Sequence, residues 1–227
     1  MSLISAKNIS RIYQEGEVSL RALDGVSFDI SPGSFVSFIG PSGSGKSTTL
    51  NLIGCLDKPT SGQLTIADQD VTQLDPVEAA AFRGDHIGIV FQDFNLLPVL
   101  TVFENIEFPL IMVRNIPPAK RRDQVMELLG LVGMEDQAKK YPGQISGGQK
   151  QRTAVARSLI TNPKLVLADE PTANLDSANA YKIIELMKDM RDRFGTTFIF
   201  STHDPKVVEV AEVTYRLVDG RLAETGE

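Results

Sequence analysis

Short apolar runs bounded by turn residues alternate along this chain with stretches whose apolar positions recur every three or four residues. That alternation predicts an α/β fold. Leu3 to Tyr13 and Ala22 to Ile30 read as strands, with turn residues at Asp24-Gly25 and Ser31-Pro32-Gly33. Ser34-Phe35-Val36-Ser37-Phe38-Ile39 reads as a buried strand that runs into a glycine-rich stretch, with a helix from about Ser47 to Leu56 behind it. Ile87 to Phe91, Leu165 to Ala168 and Thr197 to Phe200 are further strand candidates. The last two are unbroken apolar runs, as expected of central parallel strands covered on both faces. Ile183, Met187, Met190 and Phe194 form one stripe of a later helix, which assigns those methionines to the core.

Residues from roughly 94 to 160 have a helical pattern instead. Val102 to Met112, Ala119 to Leu131 and Gly147 to Ile160 are the helix candidates, punctuated by Pro117-Pro118 and Tyr141-Pro142-Gly143. The expected organisation is a single domain over 1–227, with a core of about 1–93 and 161–227 and an inserted helical lobe of about 94–160. Composition leaves that picture standing, since 42% hydrophobic and 23% charged residues is ordinary globular usage. The net charge of −6 speaks against a nucleic-acid partner. The single Cys55, in an apolar run, excludes an intramolecular disulfide and reads as a small core side chain. No run approaches the ~18 to 20 apolar residues needed to cross a bilayer. Met1 to Lys7 does not resemble a secretory signal, so a cytoplasmic chain is expected, with any membrane part supplied by another chain.

Gly40-Pro41-Ser42-Gly43-Ser44-Gly45-Lys46-Ser47, continued by Thr48, fits G-x-x-x-x-G-K-[ST] between a strand and a helix. Glycines allow backbone N–H groups to turn inward and approach phosphate oxygens. The following helix directs its positive end at the anion. Lys46 is suited to the β- and γ-phosphates of a nucleotide, and the Ser47 hydroxyl to Mg²⁺.

Leu165-Val166-Leu167-Ala168-Asp169-Glu170 supplies the complement, a buried strand that ends in two carboxylates. Ligands of open α/β sheets bind at such strand ends. Asp169 suits the Mg²⁺ shell, through water. Glu170 suits a base that orients and deprotonates the attacking water.

Those two elements leave several classes of phosphate-loop enzyme open. Ile145-Ser146-Gly147-Gly148-Gln149 narrows the choice, because it resembles the L-S-G-G-Q signature of ATP-binding cassette (ABC) proteins with Ile in the first place. The resemblance covers essentially the whole chain. It implies a mostly parallel α/β core, an N-terminal antiparallel β region and an inserted helical lobe. It further implies ATP hydrolysis with Mg²⁺, a homodimer in which Ser146, Gly147, Gly148 and Gln149 meet the γ-phosphate held by the opposite copy, and an integral membrane permease subunit. Gln92 resembles the lobe-linking glutamine that senses Mg²⁺ and the attacking water, and His203 the switch histidine at the γ-phosphate. Ala173-Asn174-Leu175-Asp176 resembles the loop through which two cassettes touch, and Tyr13 the aromatic residue that stacks on adenine.

Finer likeness lies in Tyr13 to Val18, Asn51 to Gly62 and Ala168 to Asp176, which resemble the lipoprotein-releasing and macrolide-export group of bacterial cassettes. That group implies a chain on the cytoplasmic face of the inner membrane, energising export or extraction. A cassette that relays ATP state to a periplasmic or cell-wall effector without transport remains open. A chromosome-maintenance ATPase does not, because the 100 residues from Lys46 to Ser146 cannot hold its long coiled coil. Phe94 to Phe103 is more apolar than a lobe surface needs, and its exposed members are expected to accept a short helix of the membrane partner.

Overall fold

The structure, a computed structural model, describes residues 2–16, 18–114 and 116–223. Glu17, within one of the family-like segments, lies outside them. Strands β1 (Ile4–Glu15) and β2 (Val18–Ile30) pair antiparallel, and β4 (Ser61–Ile66) and β5 (Gln69–Asp70) extend their sheet in the order β2-β1-β4-β5. A second sheet holds β3 (Phe35–Ile39), β6 (Ile87–Val90), β7 (Leu165–Asp169), β8 (Thr197–Ser201), β9 (Val213–Val218) and β10 (Arg221–Leu222) in the order β10-β9-β3-β8-β7-β6. It is parallel except for the β9–β10 pair. The helices are α1 (Lys46–Ile53), α2 (Pro76–His86), α3 (Val102–Met112), α4 (Pro118–Leu131), α5 (Gly147–Leu159), α6 (Ser177–Phe194) and α7 (Pro205–Val210).

Asp24-Gly25, expected as a turn, is instead an irregularity inside β2, where the register slips between the Ile9–Val26 and Arg11–Leu23 pairs. The reason is burial. Leu23 and Val26 are an odd number of residues apart, so a regular strand would send them to opposite faces, yet both are buried. A bulge, with Gly25 at φ +66, lets both point inward. Helix α2 went unanticipated although its start was legible: Asp75 accepts from Val77 and Glu78 N–H, and Glu78 returns a bond to the Asp75 N–H. Cys55 sits half-buried against the core, and burial pushes its thiol up to about 11 against the smaller pull of Arg83.

The two faces of the parallel sheet are covered by different cores. Phe35, Val166, Ala168, Phe198 and Phe200 face the helical side, together with Ile183, Met187 and Met190 of α6. Val36, Phe38, Leu165, Leu167 and Ile199 face α1, α2 and the antiparallel sheet. Helices α3 to α5 lie between β6 and β7 in the chain. Their buried Ile106, Leu110, Val125, Leu129 and Val155 belong to the same apolar cluster as the phenylalanine face. Strand β6 meets α5 closely, since a Cβ on Gly88 would lie 2.1 Å from the Ser158 carbonyl oxygen. Gly88→Ala should therefore lower stability by about 1 to 3 kcal/mol, read as an earlier denaturant midpoint. Gly143→Ala, where a Cβ meets nothing within 4 Å, should leave the midpoint unchanged.

Candidate nucleotide site

The carboxyl ends of β3, β7 and β8 open into one cleft of about 710 Å³. Tyr13, Gly40, Ser42, Gly43, Gly45, Lys46, Ser47 and Thr48 line it on one side, and Gln92, Asp169, Glu170 and His203 on the other. At Gly40 and Gly45 the loop backbone has no room for a side chain. A Cβ on Gly40 would fall 2.1 Å from the Leu217 carbonyl oxygen, and one on Gly45 would fall 2.6 Å from that of Ala22. Helix α1 starts at Lys46 behind Gly45 (φ +102) with no side-chain cap. The orphan N–H donors of its first turn therefore suit an anion. Lys46 Nζ donates to the Gly40 and Pro41 carbonyls at 2.8 and 2.9 Å, which holds an ammonium over the loop with a further donor to spare. A polyphosphate fits this cradle. Ser44 differs from its neighbours in the loop, because its side chain is buried behind it with Oγ unpartnered among the described residues.

Across the cleft, Glu170 has φ +45, a conformation that costs a non-glycine residue on the order of 1 kcal/mol. Its surroundings fix it there. Its N–H donates to Ser201 O at 2.8 Å, its Oε1 lies 2.6 Å from His203 Nδ1, and its Oε2 accepts from the Thr202 hydroxyl at 3.3 Å. Behind them Thr172 donates to Asp204 at 2.7 Å. Burial alone would raise the Asp204 carboxyl, but the bonds from Thr172 and the Lys206 N–H outweigh it and hold it below its usual range. Ser47, Gln92 and Asp169 offer hard oxygen donors of the kind Mg²⁺ takes. Among the described residues no three His, Cys, Asp or Glu side chains cluster as a metal site, so phosphate and water would have to complete such a shell.

Tyr13 lines the cleft with its hydroxyl donating to Asp57 at 2.8 Å, and the Arg11 guanidinium lies 4.4 Å from the centre of its ring. One face of the ring is thus taken. Ser146 caps α5: its Oγ accepts from the Gln149 N–H, and Gln149 Oε1 accepts from the Ser146 N–H. Ser146, Gly147, Gly148 and Gln149 do not line the cleft of their own chain. A Cβ on Gly147 would approach Asn174 O at 3.6 Å, which places that helix start beside the 173–176 loop.

Sequence reasoning missed how these pieces are tied. Asn174 Nδ2 donates to Gln92 O at 2.9 Å and to Asp93 Oδ1 at 3.0 Å, clasping the segment that carries Gln92. Arg157 donates to the Phe94 carbonyl at 2.8 Å and to that of Asn95, both residues at positive φ. Asn105 is buried and bonds both the N–H and the carbonyl of Leu97. Phe94, Leu96 and Phe103 therefore pack into the helical core, whereas Leu97 and Val99 are exposed, the latter at 79%. Local pattern carries no trace of such pairings beyond the presence of polar residues in an apolar stretch.

A phosphate loop after a central parallel strand, facing carboxylates at the end of a strand two places away in the same sheet, defines a phosphate-loop nucleotide-binding protein. The model of the ABC transporter family matches residues 23–173. The chain is 45% identical to the ABC transporter ATP-binding protein MJ0796 of Methanocaldococcus jannaschii, over 97% of this chain and 95% of that one. It is 43% identical to the macrolide export ATP-binding/permease protein MacB of Syntrophobacter fumaroxidans, over 97% of this chain and 31% of the relative. The chain thus spans about a third of that relative's length. The dimeric structure of MJ0796 in a post-hydrolysis state, bound to ADP and Pi, superposes with a TM-score of 0.89 at 44% identity over 97% of both chains. The chain belongs to the ABC transporter family and is an ATPase; it resembles the macrolide-export relatives over about a third of their length.

The clasp on Gln92 generates a prediction. Asn174→Ala removes two hydrogen bonds, each worth about 1 kcal/mol, and should cut kcat for ATP by about five- to tenfold. KM for ATP should stay within about twofold, because the phosphate loop is untouched. Steady-state kinetics checks both, and unchanged kcat would remove any role for the clasp.

Proposed function

We propose that the chain is the nucleotide-binding subunit of a bacterial ABC transporter, hydrolysing ATP as a homodimer on the cytoplasmic face of the inner membrane to drive a permease in export or extraction. One observation carries this reading. The phosphate loop, Asp169, Glu170 and His203 share a cleft, while the Ser146–Gln149 helix start lies outside it. An anion-binding helix end unused by its own cleft suits the cleft of a second copy. The dimeric form of MJ0796 supports that arrangement. The permease is proposed from the macrolide-export relatives, whose printed name joins an ATP-binding and a permease part. No helix among the described residues is long and apolar enough to cross a membrane. We take 1–227 as one cassette, with a core of about 1–93 and 161–227 and a lobe of about 94–160 that docks the permease through Leu97, Pro98 and Val99.

In this reading the loop amides of Gly40 to Thr48 and Lys46 hold the phosphates, and Tyr13 takes the adenine on the ring face that Arg11 leaves open. Ser47, Gln92 and Asp169 would hold Mg²⁺, which would neutralise phosphate charge as it develops. Glu170 accepts the proton of the attacking water. His203 fixes the Glu170 carboxylate through Nδ1 and reaches the γ-phosphate with the rest of its exposed ring. A relay to a cell-wall effector would use the same site, and no observation here favours it.

Glu170→Gln keeps shape but cannot take a proton. Its turnover should fall by about 10² to 10⁴ while nucleotide binding persists. Loss of negative charge beside the γ-phosphate should also let ATP-bound dimers accumulate, as light scattering would show. Near wild-type turnover would assign the base elsewhere. Mixing Lys46→Ala chains with Ser146→Arg chains tests the shared site. Each variant alone should be inactive, and the mixture should regain turnover from dimers with one intact composite site; full turnover by a monomer would overturn the reading.

A further inference from the structure

Tyr13 is held at the cleft by one carboxylate. Its hydroxyl donates to Asp57 Oδ2 at 2.8 Å, and the Arg11 guanidinium lies 4.4 Å from the centre of its ring. Arg11 is itself fixed, because its Nε donates to the same Asp57 oxygen at 2.8 Å. The other Asp57 oxygen accepts from the Lys58 N–H at 2.7 Å. Tyr13 lines the cleft and Arg11 does not, so the guanidinium closes the ring from outside the cleft. Asp57 thus governs the ring twice, through the bond to its hydroxyl and through the cation over its covered face. The Arg11 and Asp57 side chains are each 23% exposed, which shelters the pair from water.

Asp57 lies just beyond the end of α1. The Leu56 and Asp57 N–H groups both turn back to the Asn51 carbonyl, at 2.9 and 3.3 Å, which ties Asp57 to the last turn of that helix. From there the loop is pinned to β1. The Thr60 N–H donates to Ser10 O at 2.8 Å, and Thr60 Oγ1 accepts from the Ile12 N–H at 3.0 Å. With the Arg11 and Tyr13 bonds, every residue from Ser10 to Tyr13 is held by this loop. The first turn of α1 bears Lys46, Ser47 and Thr48 of the phosphate cradle. One short helix therefore has the cradle at its start and the brace for Tyr13 at its end. A ring placed before the base arrives binds it more tightly, because ordering a side chain on binding costs affinity. We propose that Asp57 is a positioning residue for the nucleotide, holding the Tyr13 ring as the platform for adenine at a separation from the phosphate loop that α1 sets. The inference rests on the reading above of Tyr13 as the adenine contact.

Steady-state ATP hydrolysis by purified variants tests it, with inorganic tripolyphosphate as a competitor that has no base. Tyr13→Ala should raise KM for ATP by about fivefold or more, the worth of a base–aromatic stack. Asp57→Ala should raise it about three- to tenfold, the worth of one hydrogen bond, with kcat within about twofold. Asp57→Asn keeps an acceptor for both donors and should recover most of that loss. The inhibition constant of tripolyphosphate should be the same for the wild-type and Asp57→Ala chains, since the phosphate cradle is untouched. In a chain that already carries Tyr13→Ala, adding Asp57→Ala should raise KM no further, whereas a lesion unrelated to the ring would add its full effect. Tyr13→Phe keeps the ring and loses only the bond to Asp57, so a rise in its KM decides the matter if Asp57→Ala does not fold. The proposal is overturned by a wild-type KM in Asp57→Ala or in Tyr13→Phe, by weakened tripolyphosphate inhibition, or by full additivity in the double variant. A wild-type KM in Tyr13→Ala would remove the adenine reading itself, and the brace with it.

Discussion

At two glycines the phosphate loop lies backbone against backbone, with the strands behind it leaving no space for a side chain at either. Gly40 is pressed on the end of β9 and Gly45 on β2, so the loop is supported by both sheets at once. This contact fixes where α1 begins and where Lys46 crosses the loop. The antiparallel sheet is therefore part of the site's foundation. Its hairpin also brings Tyr13 to the cleft edge, held from behind by Asp57.

From that fixed loop the parallel register sets the distance to the chemistry. Asp169 pairs with Ser201 across β7 and β8, which puts Glu170 and His203 on adjacent strand ends and close enough to bond. The unfavourable backbone of Glu170 is held by three hydrogen bonds from one neighbouring segment, 201–203. Its carboxylate is thereby aimed before any ligand arrives. Such aiming suits the proposed role of Glu170 as base, since a proton-accepting group must lie within hydrogen-bond reach of the water it activates.

The helical region is tied to this centre by a few side chains that reach main-chain carbonyls. Asn174 holds Gln92, Arg157 holds Phe94 and Asn95, and Asn105 shapes the turn around Leu97. These bonds run between segments far apart in the chain, and they join the exposed Leu97–Val99 edge to the residue that enters the cleft. A partner pressing on that edge would act on Gln92 through a short chain of hydrogen bonds instead of through a continuous packed core. The helical core behind it is continuous with the phenylalanine face of the sheet and has less freedom to yield.

Much of this protein was written locally. The phosphate loop, the apolar strand ending in Asp169-Glu170 and the Ser146 helix start each need only a few consecutive residues. Glycine conformations, strand burial and helix capping are set within one turn or strand, so those residues disclose them. The sequence also determined the central strands and the three long helices between them, because an unbroken apolar run and a period near 3.6 are one-dimensional signals. Tertiary structure alone decided that Asp24-Gly25 is a bulge, that Ser44 turns away from the cleft, and which of Phe94 to Val99 stay exposed. It also decided the Asn174, Arg157 and Arg11 contacts. Each depends on which side a neighbouring element occupies, and a side chain's partner across the fold is fixed by packing in three dimensions, which no spacing along the chain encodes.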